Sequence, residues 1–220
     1  MRGGKILANK RINTVFTDCF KTIIIRKIKS KEVFKQWAKN ISEKYNINWK
    51  YFYKTYKTIN FNLCFKKLLF KFTLQEKFEV VLNKTCNKII KKHKDINFNQ
   101  FFEDAKETYI QTELQNFDVN TKMINVLEES KKNGMAIYLV SDFYCGSDTI
   151  KYWFDQLNLT HFFNEIFSSC DFNKEKATGK LYKFLLKKLN LNAKSVKMYG
   201  DNIWSDIFMA KLFRINTQKV

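Results

Sequence analysis

The sequence of 220 residues has no proline, only two histidines and no cysteine pair in a C-x-x-C arrangement. Structural zinc sites draw on closely spaced cysteines and histidines, so the sequence predicts no such site. An odd number of scattered thiols also argues against a disulfide framework and indicates a reducing compartment, and we therefore expect a cytoplasmic location. The five cysteines are Cys19, Cys64, Cys86, Cys145 and Cys170.

Long apolar runs are also missing. No segment approaches the roughly 18 consecutive apolar residues of a membrane span. The opening stretch, MRGGKILANKR, lacks the apolar region of a signal peptide. We therefore expect no membrane partner. Hydrophobic residues make up 45% of the chain and aromatic residues 16%, which is typical of a folded globular protein with one domain or a domain carrying an insertion.

Arginine is scarce although the net charge is +19, because only four of the forty basic residues are arginine. Arginine is the residue favoured for bidentate recognition of bases and phosphates, and the lysines are spread along the whole chain. With abundant Lys, Asn, Ile and Phe, this pattern indicates a compositional bias and favours a solvated lysine surface that attracts anionic substrates. A basic nucleic-acid-binding module is the alternative, and salt-dependent retention on DNA-cellulose would support it.

The hydrophobic periodicity changes twice along the chain. It predicts a short buried strand over 12–17, a helical block over about 30–117, and then alternating helices and strands. The later strands are MAIYLV, which is fully apolar, FNEIFSS near Ile166, and SVKMYG. Their alternation with helices predicts a parallel sheet covered on both faces. Within this pattern we expect a capping box from Thr73 to Glu76 and an N-cap at Ser147. The helical block is then an insertion after the first strand.

Polar residues follow the predicted strands at the points where ligands bind in parallel sheets, outside the carboxyl ends. Asp18 interrupts two apolar runs in VFTDCFKTII, and a buried carboxylate is costly unless something pairs with it. Ser141, Asp201 and Asp206 follow other strands, and the loop after the third strand holds Lys174 and Lys176. Carboxylates, a hydroxyl and a lysine together predict a site for Mg²⁺ and a phosphoryl group.

Four motifs stand in order at these strand ends: VFTDCFKTI, YLVSDFY, KATG and YGDNIWSD. In this order they resemble the haloacid dehalogenase-like (HAD) superfamily of phosphohydrolases. The nearer likeness is to a branch that reads D-x-F-D-T-L-x-x-R, S-D-M-Y, K-x-x-G-x-L-[FY] and G-D-N-x-x-S-D, and that is associated with bacterial surface-polysaccharide assembly. The resemblance implies a Rossmann-like core over 1–24 and 119–220, with an all-helical cap over 25–118 inserted into it.

The resemblance also implies a role for each motif residue. Asp18 would attack phosphorus, form an aspartyl-phosphate and bind Mg²⁺. The remaining metal ligands would be the Phe20 carbonyl, Asp201 and Asp206. Asp206 would either bind the metal through a water molecule or hold the lysine in place. Ser141 would donate to a phosphoryl oxygen, and Lys176 would neutralise charge in the transition state. Lys176 is preferred to Lys174 because it lies three residues before Gly179.

Further residues match the branch at positions near the substrate. The implied substrate-binding set adds Asp142, Asn202 and Arg26, although Arg26 is equally suited to a salt bridge at the cap hinge. Thr22 is expected to fix the turn behind Asp18. The oligomeric state is left open by the sequence.

Two positions depart from related phosphatases. Most carry a second Asp two residues after the nucleophile as general acid and base, and here that residue is Phe20; the branch also has Phe. Asp142, Tyr144 or a cap residue would have to replace it, or the leaving group needs little help. Lys21 stands where the branch has Asp.

The sequence thus predicts a Mg²⁺-dependent phosphomonoesterase for a small phosphorylated metabolite, such as a sugar-linked or amino-alcohol phosphate in capsule or surface-polysaccharide biosynthesis. The alternative within the family is a phosphotransferase or a catalytically weak relative. Dehalogenation is less favoured, because GDNIWSD retains the acids of a metal site.

Overall fold

The computed structural model describes residues 12–71 and 76–220, without the side chains of residues 69–71. Five of its strands form a parallel sheet in the order β5-β4-β1-β6-β7. Two more, β2 and β3, form an antiparallel ribbon. The bounds are β1 Thr14–Thr17, β2 Ile24–Arg26, β3 Phe117–Val119, β4 Ala136–Ser141, β5 Glu165–Ser168, β6 Val196–Gly200 and β7 Asn216–Lys219.

The central strand β1 is buried along its whole length and pairs with β4 on one side and β6 on the other. A strand covered on both faces gains from apolar side chains on each face, and the buried Val15 and Phe16 provide them. The predicted Rossmann-like α/β class is confirmed. The carboxyl ends of β1, β4, β5 and β6 consequently meet at one edge of the sheet.

Helices cover both sides of the sheet and also form the block predicted between the first strand and the rest. That block contains α1 Ser30–Lys44, α2 Trp49–Lys71, α3 Phe78–Ile90 and α4 Phe98–Gln115. The later helices are α5 Thr121–Lys132, α6 Ser147–Gln156, α7 Ser169–Phe172, α8 Lys180–Lys188 and α9 Met209–Leu212, with a π-helical segment over Ile203–Phe208 leading into α9. Among the described helices, α2 included, none combines the length and apolar character needed to cross a bilayer.

The helical block has its own aromatic core. Trp37 of α1 is completely buried and donates its indole N–H to the carbonyl of Ala105 in α4, at 2.8 Å. Its ring packs edge-on against Phe52 of α2 and Tyr109 of α4. Aromatic pairs of this geometry add to the free energy of burial, so these aromatics serve packing.

Several local expectations need correction. Ser147 is the first residue of α6 and not its N-cap; the cap is Gly146, and the Ser147 amide donates to Asp171 Oδ2 at 3.0 Å. Helix α3 begins at Phe78, and Thr73 of the expected capping box lies outside the described residues. The strands β2, β3 and β7 were not expected, because three or four residues with a single buried position or none give no readable periodicity.

The ribbon of β2 and β3 carries the chain into and out of the helical block, and a buried ion pair fixes it to α4. Arg26 of β2 donates from Nε and Nη2 to the two carboxylate oxygens of Glu113, at 2.7 and 3.0 Å. The Glu113 side chain is fully buried, and that of Arg26 is 18% exposed. Arg26 is therefore committed to a salt bridge at this junction, as one of its two predicted roles requires.

We expect Glu113→Gln to lower the free energy of unfolding by about 3 kcal/mol, because the Arg26 guanidinium would keep its charge inside the junction without a counter-ion. Asp118→Asn is the matched control on the same ribbon, since the exposed Lys27–Asp118 pair at 3.7 Å contributes at most about 1 kcal/mol. Urea unfolding of both variants at neutral pH measures the difference. Equal losses would mean that the buried pair adds nothing beyond a surface pair.

Candidate active site

Three carboxylates converge at the carboxyl edge of the sheet. Asp18 directly follows β1, Asp201 directly follows β6, and Asp206 lies in the π-helical segment after it. One oxygen from each lies within 4.8 Å of the others. The backbone places Asp18 firmly, because its amide donates to the Tyr199 carbonyl of β6 at 2.8 Å. Carboxylate oxygens this close together are the donors that a hard divalent cation prefers.

A buried lysine joins this cluster. Lys176 is 1% exposed, and its Nζ lies 2.6 Å from Asp18 Oδ1 and 2.7 Å from Asp206 Oδ1. Lys174 does not reach the cluster; its Nζ donates to the Phe172 carbonyl at 3.3 Å and lies over the Phe184 ring. The structure thus brings Lys176, rather than its rival, to the acids.

Charge and burial set the protonation of the cluster. The pKa of Asp18 is raised from its ordinary 3.8 to about 6, because burial, helped by the charge of Asp206, outweighs the attraction of Lys176. Burial also raises the pKa of Asp201, again with the help of Asp206. Burial alone would lower the pKa of Lys176, but the attraction of Asp18 and Asp206 outweighs it and raises the pKa well above its usual value. Lys176 is therefore a fixed cation and a poor proton donor.

Asp142 holds the turn that carries Lys176. Its Oδ1 accepts from the Lys176 amide at 2.7 Å and its Oδ2 from the Ala177 amide at 3.1 Å. From the other side, the Trp204 indole N–H donates to the Ala177 carbonyl at 3.0 Å. The sequence predicts Asp142 as a substrate-binding residue, whereas in the structure its carboxylate positions the lysine through the main chain.

Gly179 ends this turn in a conformation that favours glycine. Its φ is +72°, and an added Cβ would lie 2.4 Å from the Phe213 ring. Both the backbone conformation and the close approach of Phe213 exclude a side chain. Glycine is therefore required where the turn ends, three residues after Lys176.

The loop after β6 is built around Asp206. Asn202 accepts from the amides of Trp204 and Ser205 through Oδ1, at 2.9 and 3.0 Å, and its own amide donates to Asp206 Oδ2 at 3.1 Å. At Gly200 an added Cβ would lie 2.3 Å from Asp206 Oδ2, so the carboxylate packs directly on the glycine. Asn202 is predicted to bind substrate, but its side chain here caps the π-helical segment.

The Phe20 side chain lies in an aromatic wall. Its ring centre is 4.5 Å from that of Phe143, and the Arg26 guanidinium carbon lies 4.2 Å above it. The rings of Phe117 and Trp153 contact it edge-on. The side chain two residues after Asp18 is thus a ring packed among other aromatic rings, not an acid.

Tyr144, proposed from the sequence as a replacement acid, is tied to the helical block. Its hydroxyl lies 2.6 Å from that of Tyr109, which donates to Glu113 Oε1 at 2.7 Å. Its carbonyl accepts from the Phe78 amide at 2.9 Å. The network that starts at Arg26 therefore ends at the loop after β4.

The remaining predicted residues are Ser141 and Thr22. Ser141 is 1% exposed and ends β4; the register pairs Leu139 with Thr17, so Ser141 lies one residue beyond the level of Asp18. Thr22 was expected to fix the turn behind Asp18, and its hydroxyl has no hydrogen-bond partner among the described residues. The turn is held instead by the Thr22 carbonyl, which accepts from Asn120 Nδ2 at 2.9 Å.

A cavity of about 420 Å³ lies between the helical block and the loops after β4 and β5. Lys67, Glu76 and Lys77 border it from the helical side, and Phe143 and Glu175 from the core side. None of the three clustered acids lines it, but two of its lining residues, Phe143 and Glu175, are the neighbours in sequence of Asp142 and Lys176.

The raised pKa of Asp18 predicts a pH-dependent stability in metal-free solution. Because the folded chain binds this proton more tightly, the contribution of Asp18 to the free energy of unfolding is fully present below about pH 3.8 and is lost as the pH rises through about 6. We expect the difference between wild type and Asp18→Asn to fall by roughly 2–3 kcal/mol over that range. Urea unfolding in EDTA measures it, and a constant difference would show an ordinary Asp18 pKa.

Residues 59–220 match the family described as haloacid dehalogenase-like hydrolase. No curated protein matches the sequence. Among solved structures, 2-haloacid dehalogenase from Pseudomonas syringae pv. tomato is 12% identical with a TM-score of 0.69, covering 94% of this chain and 85% of that one. Magnesium-bound YfnB from Bacillus subtilis is 18% identical with a TM-score of 0.60, covering 94% and 88%.

A HAD phosphatase from Thermococcus onnurineus is 16% identical with a TM-score of 0.52, covering 94% of this chain and 85% of the other. At such identities the structural likenesses show a common fold alone. The family match spans more than half of the chain and includes the segments that carry Lys176, Asp201 and Asp206. The chain belongs to the haloacid dehalogenase-like hydrolase family.

Proposed function

We propose that the chain is a Mg²⁺-dependent phosphatase that hydrolyses a phosphomonoester through an aspartyl-phosphate on Asp18. The observation that carries the proposal is the clustering of Asp18, Asp201 and Asp206, with Lys176 in contact with Asp18 and Asp206. A phosphoryl group needs both a nucleophile and several positive charges to bind in such a site. Carbon–halogen displacement needs the nucleophile but has no use for a cluster of three acids.

The donor set fits a magnesium ion. Three ionised carboxylates and one ammonium leave two negative charges in a largely buried site, and a divalent cation balances that charge. Lys176 engages Oδ1 of Asp18 and of Asp206. Asp18 Oδ2, Asp201 and the Phe20 carbonyl would hold the ion, with Asp206 holding Lys176. When bound, the ion would neutralise phosphoryl oxygens and favour the ionised form of Asp18.

The chain's own residues would perform the rest of the reaction. Asp18 attacks phosphorus, the bond to the leaving oxygen breaks, and the electron pair departs with that oxygen. Lys176 and the Ser141 hydroxyl would bind the phosphoryl oxygens and hold them during transfer. Water then attacks phosphorus and releases phosphate, and the electron pair of the broken bond returns to Asp18.

We propose that residues 25–118 act as a cap, so that the helical side determines the substrate. Its support is the cavity bordered by Lys67, Glu76 and Lys77, together with the contacts of Phe78 and Tyr109 with Tyr144. A cavity of about 420 Å³ accommodates a small metabolite. By the resemblance of the motifs, that metabolite belongs to surface-polysaccharide assembly, as a sugar-linked or amino-alcohol phosphate.

A dehalogenase is the second candidate. Two observations favour it: the aromatic wall at Phe20 and the likeness to solved haloacid dehalogenases. Halide leaves without a proton, so an apolar wall would suffice. In that reaction Asp18 would attack carbon, the carbon–halogen bond would break, and water would hydrolyse the ester.

Asp18→Asn should abolish phosphate release from a panel of sugar phosphates, amino-alcohol phosphates and p-nitrophenyl phosphate, because an amide does not attack phosphorus. EDTA should silence the wild type, and Mg²⁺ should restore it. Asp201→Asn should weaken Mg²⁺ binding, measured by a Mg²⁺ titration of activity, far more than Asp206→Asn, since Asp206 is committed to Lys176. Chloride release from 2-chloropropionate in EDTA, with no phosphate release in Mg²⁺, would establish the dehalogenase instead.

Phe20→Asp should speed hydrolysis of an alkyl phosphate about tenfold relative to Phe20→Asn, below the 10²–10⁴ typical of a well-placed acid. The two variants lose the same ring contacts, so Phe20→Asn controls for packing. For p-nitrophenyl phosphate, whose nitrophenolate leaves unprotonated, the two should be nearly equal. Equal rates of Phe20→Asp and Phe20→Asn on both substrates would mean that another acid is already in place. Tyr144 would then be the first residue to mutate. Transfer of the phosphoryl group to added alcohols instead of water would indicate a phosphotransferase.

A further inference from the structure

Lys21 occupies a backbone conformation that disfavours lysine. Its φ is +59°, in the left-handed region, where residues other than glycine, asparagine and aspartate are disfavoured. Of the six non-glycine residues with positive φ in the described parts of the chain, four are asparagine: Asn46, Asn158, Asn173 and Asn190. The turn closes through main-chain atoms, since the Lys21 amide donates to the Ile24 carbonyl at 2.7 Å. The fold therefore gives no reason for a lysine here.

The position of the Lys21 ammonium gives a reason. Its side chain is 80% exposed, and Nζ lies 3.9 Å from Asp201 Oδ2. Lys176 reaches the same cluster from below, with a side chain that is 1% exposed. The cluster is thus contacted by two ammonium groups, one at its buried base and one at its rim.

With the proposed cation bound, the charge of Lys21 is not needed to neutralise the carboxylates of the cluster. If the proposed divalent cation is bound, that ion and Lys176 together balance the three carboxylates. Asp201 then needs no further counter-ion, and the rim ammonium is released for another anion. A phosphoryl group seated against Asp18 and Lys176 lies at the base, so the anion at the rim belongs to the rest of the substrate.

We propose that Lys21 binds a second anionic group, a carboxylate or a further phosphate, on the substrate whose phosphoryl group Asp18 attacks. The inference rests on the proposed phosphatase function and narrows it to substrates with two anionic groups. Strain kept at a functional position is expected where the side chain is needed for binding. An exposed ammonium also agrees with selection by charge rather than by shape.

Binding of non-hydrolysable phosphonates tests the proposal without requiring turnover. The probes are 3-phosphonopropionate and 1,2-ethanediphosphonate, with propylphosphonate as the neutral-tailed control, titrated calorimetrically into the protein with saturating Mg²⁺. We expect wild type to bind at least one of the two-anion probes about fivefold or more tightly than propylphosphonate, the size of a partly exposed ion pair. Which probe is preferred identifies the second group.

Lys21→Asn should remove that preference while leaving propylphosphonate binding unchanged. Lys27→Asn is the matched control, because it deletes one exposed lysine that likewise lies near an acid, Asp118, at 3.7 Å; it should retain the preference. The thermal midpoint of Lys21→Asn should not fall, since asparagine suits the turn.

Other outcomes overturn the proposal, and they do so distinguishably. A preference that survives in Lys21→Asn would place the second anion elsewhere, such as at Lys77 of the cavity. An equal loss for all three probes would place Lys21 at the phosphoryl group itself. If no phosphonate binds although Mg²⁺ does, the phosphoryl site is absent, and the proposed function falls together with this inference.

Discussion

The contact of Lys176 with Asp18 and Asp206 is the interaction on which the candidate site depends. A lysine that is 1% exposed is stable only with counter-charges, and the two acids in turn need the lysine to remain ionised beneath the surface. The three residues come from loops after different strands, and 158 positions separate Asp18 from Lys176. Their mutual attraction therefore ties the loops after three strands to one another.

Main-chain hydrogen bonds extend this unit to a fourth strand. Asp142, after β4, accepts from the amides of the lysine turn, and Trp204, in the loop of Asp206, donates to the same turn. Asn202 and Gly200 then hold Asp206 against β6. Rigid support of this kind is what a site needs in order to orient a nucleophile. Because the lysine turn is held from both sides, it does not shift without the loops that carry the acids.

The sequence allowed the elements around the site to be predicted better than the contacts within it. Asp18, Asp201 and Asp206 were found because they follow predicted strands, and parallel strands bring their ends together. Lys176 was preferred to Lys174 by the resemblance of its spacing from Gly179 to the motif of the branch. The partners of Asp142, Asn202 and Arg26 were not found. Two of these residues bond to backbone amides, which every residue offers, and Arg26 pairs with Glu113, 87 residues away. The ribbon β2–β3 was not predicted because strands of three residues are too short to show a hydrophobic periodicity.

The ribbon also has a consequence for how such a chain changes over time. The strands that lead into and out of the helical block pair residue for residue, Ile24 with Val119 and Arg26 with Phe117. Just inside them, Asn120 bonds to the carbonyls of both Thr22 and Ile23. The points where the chain enters and leaves the helical block are thus in contact. A block of any length whose ends meet could therefore be exchanged there without disturbing the five-stranded sheet. The five-stranded core and the helical block are therefore free to evolve at different rates.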